Sequence, residues 1–257
     1  MGTLGYYKSI ESFALVDGPG VRSVLFLQGC PFRCLFCHNP DTWPFLKTNP
    51  ISPEDAFRKL SRFKPYWKDN GGITVSGGEP LSQIDFLIEL GVLCKENGVS
   101  FVIDTAGGPF EETPSFLKKF DRLLEASSLF LLDLKVIDPV QHRKLVGADN
   151  KNVLSLFSYL SKKRFPIWVR RVLVPGWNDD EKWLKEEGKF LSRLGNVLRI
   201  EVLPYHTLGT FKYKKLGIPY PLEEVEPPSE AQIKRAEELL GVSSASYSRE
   251  SLHSFDG

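Results

Sequence analysis

The chain has 257 residues, with 33 Lys plus Arg against 32 Asp plus Glu and a net charge of +1, a balance that argues against nucleic acid or an anionic membrane as a partner. No apolar run approaches the length of a membrane span, and residues 1–15 show neither a secretory nor a transit pattern, so a cytoplasmic protein is expected. One core suffices at this length, which gives a single unit with its core over about 16–240 and a polar, Ser-rich tail over 241–257.

In chain order, residues 5–13 read as an edge strand or a cover, and Asp17-Gly18-Pro19-Gly20 as a turn. Residues 21–27 are the first strand. Ser52-Pro53-Glu54 opens a helix, with Ser52 as its cap. Residues 72–76 form a strand that ends in Gly77-Gly78-Glu79, and a helix over 82–97 stops at Gly98. A strand over 100–103 runs into Asp104-Thr105, and Thr113-Pro114 starts a helix reaching about Ala126. Residues 129–134 form a strand that carries Leu131 and Asp133 and leads to Lys135. A helix lies within 150–163, a strand with Arg170 and Arg171 over 166–174, and a helix over 179–194. The last strand, 198–203, is followed by Pro204-Tyr205-His206, and Ser229 caps a helix to Leu240. This repeated strand–helix alternation argues for parallel βαβ units in an α/β fold. Six units are too few for a closed eight-stranded barrel. Periodicity leaves open a partial barrel or a doubly wound sheet.

Three of the four cysteines, Cys30, Cys34 and Cys37, are spaced C-x3-C-x2-C directly after the first strand. Clustered thiolates select zinc or iron–sulfur clusters. Closed zinc sites take four ligands, so three leave one metal position for something that is not protein. The competing reading is a zinc knot completed by His38 or a distant residue. His38 follows Cys37 directly and cannot easily reach the same metal, and Cys94 reads as a small buried apolar side chain in a helix.

The remaining polar groups fall at strand ends: Gly77, Gly78 and Glu79, then Asp104, then Asp133 and Lys135, then Arg170, then His206. In a parallel α/β sheet the C-terminal strand ends share one face, where active sites form. Asp104 and Asp133 end neighbouring strands and would repel one another, which a proton, a lysine or a cation resolves. Lys135 is one candidate counter-ion.

The cysteine loop resembles that of the radical S-adenosylmethionine (SAM) enzymes. Together with Asp17-Gly-Pro-Gly-Val-Arg22, Gln28-Gly-Cys30 and Cys37-His-Asn-Pro-Asp-Thr-Trp43, it resembles the glycyl-radical-enzyme activating enzymes, nearest to those that act on pyruvate formate-lyase. Only about ten residues separate Trp43 from the next helix, leaving no room for the extra ferredoxin-like insert of some relatives. The resemblance implies a partial (β/α)6 barrel and a [4Fe–4S] cluster on Cys30, Cys34 and Cys37. It also implies SAM beside Phe36, Cys37, His38, Gly77, Gly78, Glu79, Asp133, Lys135, Arg170 and His206, with Lys135 and His206 as catalytic candidates. A monovalent cation (Na+ or K+) is implied at Asp104, Thr105, Leu131 and Asp133. The implied reaction is reductive cleavage of SAM to methionine and a 5′-deoxyadenosyl radical, which takes hydrogen from a glycine of the partner, under anaerobic conditions. The implied partners are pyruvate formate-lyase (formate acetyltransferase) and a flavodoxin or ferredoxin as reductant, with the chain itself a monomer. The alternatives are an activator of anaerobic ribonucleotide reductase or of a diol dehydratase, or a zinc-binding α/β protein without catalysis. Two positions depart from the pattern: Ala106 stands where close relatives carry Asn, and the tail is Ser-rich where they end in a short strand.

Overall fold

The computed structural model describes residues 3–242. The tail expected over 241–257 therefore lies almost wholly outside the described residues. The elements run β1 (Gly5–Ala14), β2 (Arg22–Leu27), β3 (Pro50–Ile51), α1 (Pro53–Ser61), α2 (Lys64–Trp67), β4 (Gly72–Gly77), α3 (Ile84–Glu96), β5 (Ser100–Thr105), α4 (Pro114–Ala126), β6 (Leu129–Asp133), α5 (Pro139–Val146), α6 (Lys151–Lys162), β7 (Ile167–Leu173), α7 (Glu181–Leu191), β8 (Val197–Pro204), α8 (Thr210–Leu216) and α9 (Glu230–Leu240). The expected caps are present: Ser52 Oγ accepts from Asp55 N, and Ser229 closes a capping box with Gln232.

One sheet holds all the strands in the order β3-β1-β2-β4-β5-β6-β7-β8. From β2 to β8 every neighbour is parallel, and β1 pairs antiparallel with both β2 and β3. The six parallel strands follow one another in sequence without a reversal. Right-handed crossovers then place every connecting helix on the same face, which is barrel topology; a doubly wound sheet would reverse its order. The sheet is an open, partial (β/α)6 barrel flanked by the β1–β3 ribbon.

Alternation along the strands sends apolar side chains to both faces of the sheet. The large core lies between sheet and helices and includes Val75, Phe101, Ile103, Phe130, Leu132 and Val169 against Phe86, Leu90, Phe120 and Leu156. Cys94 belongs to it with no exposed surface, as the sequence suggested. On the other face Val102, Leu129, Leu131 and Trp168 form a small cluster of their own. The Asp17–Gly20 turn folds onto that inner face, where Thr74 Oγ1 donates to the Asp17 carbonyl at 2.7 Å and Arg170 donates to the Val16 carbonyl.

Three short helices were not evident from the sequence, α2, α5 and α8. Asp138 caps α5, its Oδ1 accepting from Gln141 N at 2.7 Å, with Pro139 behind it, and Gly147 ends it at φ 81°. That Asp-Pro start and Gly stop were signals that could have been read.

Candidate active site

Cys30, Cys34 and Cys37 line one cavity of about 210 Å³ together with Phe36, His38, Gly77, Gly78, Asp104, Asp133 and Lys135. Sequence reasoning missed other parts of its wall, among them Asn39, Trp43, Ser76, Ala106 and Val172. The cysteine loop is held by main-chain bonds on both sides: Gly29 N to Thr42 O at 2.7 Å, Arg33 N to Val146 O and Leu35 N to Leu145 O, both 2.9 Å. Burial pushes the Cys30 and Cys34 thiols up to about 12 and raises Cys37 as well, although Asn39 N–H donates to Cys37 Sγ at 3.4 Å and opposes the rise. Any metal group bound here must displace those protons. Among the described residues, no three His, Cys, Asp or Glu side chains are drawn close enough to hold a single metal ion. Cys94 lies in the helical core, outside this wall.

Gly77 and Gly78 are required by the protein's own backbone. A Cβ on Gly77, which has φ +108°, would come within 2.3 Å of Leu27 N, and one on Gly78 within 2.2 Å of Gly29 O. The close approach locks β4 to the entry of the cysteine loop, where Gly78 N bonds Leu27 O and Glu79 N bonds Gly29 O. Glu79 itself is not on the cavity wall. It is 1% exposed, and its oxygens accept from Thr105 Oγ1 at 2.5 Å, Ala106 N at 2.9 Å and Leu81 N at 3.0 Å. Burial pushes its carboxyl up to about 7 against those three bonds. The carboxylate expected to face a ligand instead ties the end of β4 to the end of β5.

Asp104 and Asp133 are each paired. Lys135 Nζ lies 2.9 Å from Asp133 Oδ2 and 5.2 Å from the Phe36 ring centroid, confirming Lys135 as a counter-ion. Burial works against the Lys135 charge, but Asp133 and the neighbouring thiols outweigh it and hold the ammonium above its usual range. Asp104 accepts from Ser76 Oγ at 2.7 Å and meets Arg170 Nη1 at 3.4 Å; burial nonetheless pushes it up to about 6. Arg170 also reaches Glu201 at 3.3 Å and Asp17 at 4.0 Å, so it stands behind the cavity wall and holds Asp104 from there. Thr105 and Leu131 occupy rungs of the same β5–β6 ladder, Asp104 opposite Leu131 and Thr105 opposite Leu132.

His206 is likewise off the wall and supports it. Its ring lies 4.1 Å from that of His38, and the Nε2–H of His38 donates to the His206 carbonyl at 3.0 Å. Beyond it, α8 clasps the cysteine loop: Tyr213 OH donates to the Cys37 carbonyl at 3.0 Å, and Lys212 donates to Asn39 Oδ1 at 2.6 Å.

Three thiols on one wall, with a cationic side chain and paired carboxylates across from them, fit a cluster with three protein corners and a small polar ligand at the fourth. Residues 24–186 match the radical SAM superfamily. The pyruvate formate-lyase-activating enzyme of Streptococcus mutans is 47% identical over 238 residues, 92% of this chain and 90% of that one. That of Listeria monocytogenes is 46% identical over 242 residues, 94% of this chain and 98% of that one. A crystal structure of a domain of pyruvate-formate lyase-activating enzyme from Bacteroides vulgatus superposes with a TM-score of 0.55 at 27% identity, covering 66% of this chain and 93% of that one. The fold alone is shared with Streptococcus suis SuiB bound to S-adenosylmethionine, at TM-score 0.61 and 17% identity, over 82% of this chain and 44% of that one. The chain belongs to the radical SAM superfamily and, within it, to the family of pyruvate formate-lyase-activating enzymes.

Proposed function

We propose that this chain activates pyruvate formate-lyase by generating a glycyl radical on it, with Cys30, Cys34 and Cys37 holding a [4Fe–4S] cluster and SAM in the adjoining cavity. The observation that carries the reading is that all three thiols share one wall with Gly77, Gly78, Asp133 and Lys135. When bound, the reduced cluster and SAM supply a one-electron cleavage that ends in removal of hydrogen from a backbone glycine of the partner. The protein's part is to bind, orient and exclude water. Lys135 presents a cation to the carboxylate of SAM, and Asp133 fixes its ammonium. Phe36, Cys37 and His38 border the adenosyl part, with His206 keeping the His38 ring in place. Arg170 and Glu79 act behind the wall, by holding Asp104 and Ala106.

A monovalent cation beside Asp104 and Asp133 relieves the repulsion among four carboxylates, Asp17, Asp104, Asp133 and Glu201, three of which share Arg170. The carbonyls of Thr105 and Leu131 complete this cation site. The electron comes from a flavodoxin or ferredoxin, and the chain works as a monomer in the cytoplasm; among the described residues no helix is long and apolar enough to cross a membrane.

The test is anaerobic reconstitution with iron and sulfide, followed by reduction with SAM and purified pyruvate formate-lyase. A glycyl doublet in the EPR spectrum of the partner is expected. A colourless zinc protein that leaves SAM intact would overturn the reading, and a doublet only on another glycyl radical enzyme would reassign the partner.

A further inference from the structure

Among the described residues Lys135 is the one cation on the cavity wall, and a buried polar network holds its backbone. The strand β6 ends at Asp133, Leu134 N still bonds Arg170 O of β7 at 2.9 Å, and residues 135–137 then leave the sheet. Asn178 Nδ2 donates to the Lys135 carbonyl at 2.9 Å and to Val172 O at 2.9 Å, while Asn178 Oδ1 accepts from Val174 N at 2.7 Å. Two residues on, Ile137 N donates to Glu187 Oε1 at 2.9 Å. Glu187 Oε2 accepts from Arg171 Nε at 2.8 Å, and Arg171 Nη2 returns to the Asn178 carbonyl at 2.5 Å. Asn178 and Glu187 have no exposed surface, and Arg171 is 1% exposed.

Burying an ion pair this deeply seldom adds stability over well-packed apolar side chains. What it supplies is geometry. Apart from the Arg171–Glu187 pair itself, the polar atoms of the set end on backbone groups of the 135–137 segment, of the β7 end or of the turn after it. Alternation along β7 sends Arg170 to the inner face and Arg171 to the outer, so neighbouring arginines hold two sides of the same site.

We propose that Asn178 and Glu187 are positioning residues that set where the Lys135 ammonium stands on the cavity wall, and thereby how tightly the cavity holds the carboxylate of its small-molecule ligand. The proposal rests on SAM being that ligand. Outer-shell partners of this kind carry about tenfold in affinity or more.

The experiment compares the parent with Asn178→Ala, Glu187→Gln and Lys135→Met, and each of the first two combined with Lys135→Met. The SAM dissociation constant is measured by equilibrium dialysis on the reconstituted, oxidised protein, and amide hydrogen exchange of residues 135–137 on the protein without metal. Asn178→Ala and Glu187→Gln should each weaken SAM binding about tenfold, speed exchange at 135–137, and have no further effect once Lys135 is Met. Should Asn178→Ala fail to fold, Glu187→Gln decides alone, since it keeps the shape of the side chain while its single acceptor oxygen cannot serve both Ile137 N and Arg171 Nε. An unchanged dissociation constant in a folded variant overturns the proposal, as does a loss of the same size in the Lys135→Met background. If the parent binds no SAM, the ligand assignment fails instead, and accelerated exchange at 135–137 still reports the network.

Discussion

The rings of His38 and His206 lie 4.1 Å apart and tilt by 31°, with the His38 Nε2–H donated to the His206 carbonyl at 3.0 Å. The bond fixes the tautomer of His38, and burial lowers its pKa below 6.5. A base whose pKa is depressed by folding contributes stability above its unfolded value that is lost as pH falls through the folded one. Thermal stability of the parent relative to His38→Gln should therefore fall as pH drops below about 6.5. Glu79 and Asp104 shift in the opposite sense over nearby pH values, so the difference between parent and variant is the quantity to follow in scans of Tm against pH.

The clasp by α8 makes a second prediction. Tyr213→Phe keeps the ring against Trp43 but deletes the donor to the Cys37 carbonyl. The cost should be about 1 kcal/mol, a fall in Tm of about 2–4 °C. Reconstituted iron should be lost to a chelator faster than from the parent. Equal rates of loss would mean that the hydroxyl does not secure the loop.

Much of this site could be read from the residues, for a physical reason. Strand ends are local features, and a parallel sheet gathers them without further instruction, so the sequence itself points Cys30, Gly77, Asp104, Asp133 and Lys135 to one face, and they line one cavity. Glu79 shows the limit. A Gly-Gly-Glu run does not say whether its carboxylate faces a ligand or the chain, and here Thr105 and Ala106 claim it. Helix α8 is seven residues long, too short for periodicity to speak, and its bonds to Asn39 and Cys37 cross 173 and 176 positions. Arg171 on β7 and Glu187 on α7 were equally silent, since a charged residue in a strand or an amphipathic helix carries no local mark of its burial.

Glu79→Gln is the third prediction. A glutamine offers one acceptor oxygen where the carboxylate uses two, so either Ala106 N or the Thr105–Leu81 pair loses its partner. Leaving such a group buried and unpaired costs about 1–3 kcal/mol. The raised carboxyl of the parent contributes stability that is complete below 4.5 and lost as pH rises through about 7. The variant should lack that part of the pH profile, as read by denaturant titration at several pH values.

Among the thiols, Ala at Cys30, Cys34 or Cys37 should abolish bound iron and labile sulfide. Cys94→Ala should leave both intact and cost about 1 kcal/mol of stability, as a small buried truncation does. Iron loss from Cys94→Ala would mean that the cluster draws on a fourth cysteine.

For the cation, exchange into tetramethylammonium buffer should weaken SAM binding, and Na+ or K+ should restore it. Asp104→Asn should blunt that dependence by removing one of the four carboxylates. A dissociation constant indifferent to the salt would leave Lys135 and Arg170 as sufficient counter-ions.

The span between the two ends of the site has a consequence for biosynthesis. The cysteine loop emerges from the ribosome long before the histidine and tyrosine that fasten it, 168 and 176 residues later. Through that interval the nascent thiols have no clasp, and oxygen or stray zinc can reach them. A cysteine loop fastened on both sides therefore exists only once Tyr213 has been made, which makes the order of assembly a property of the fold.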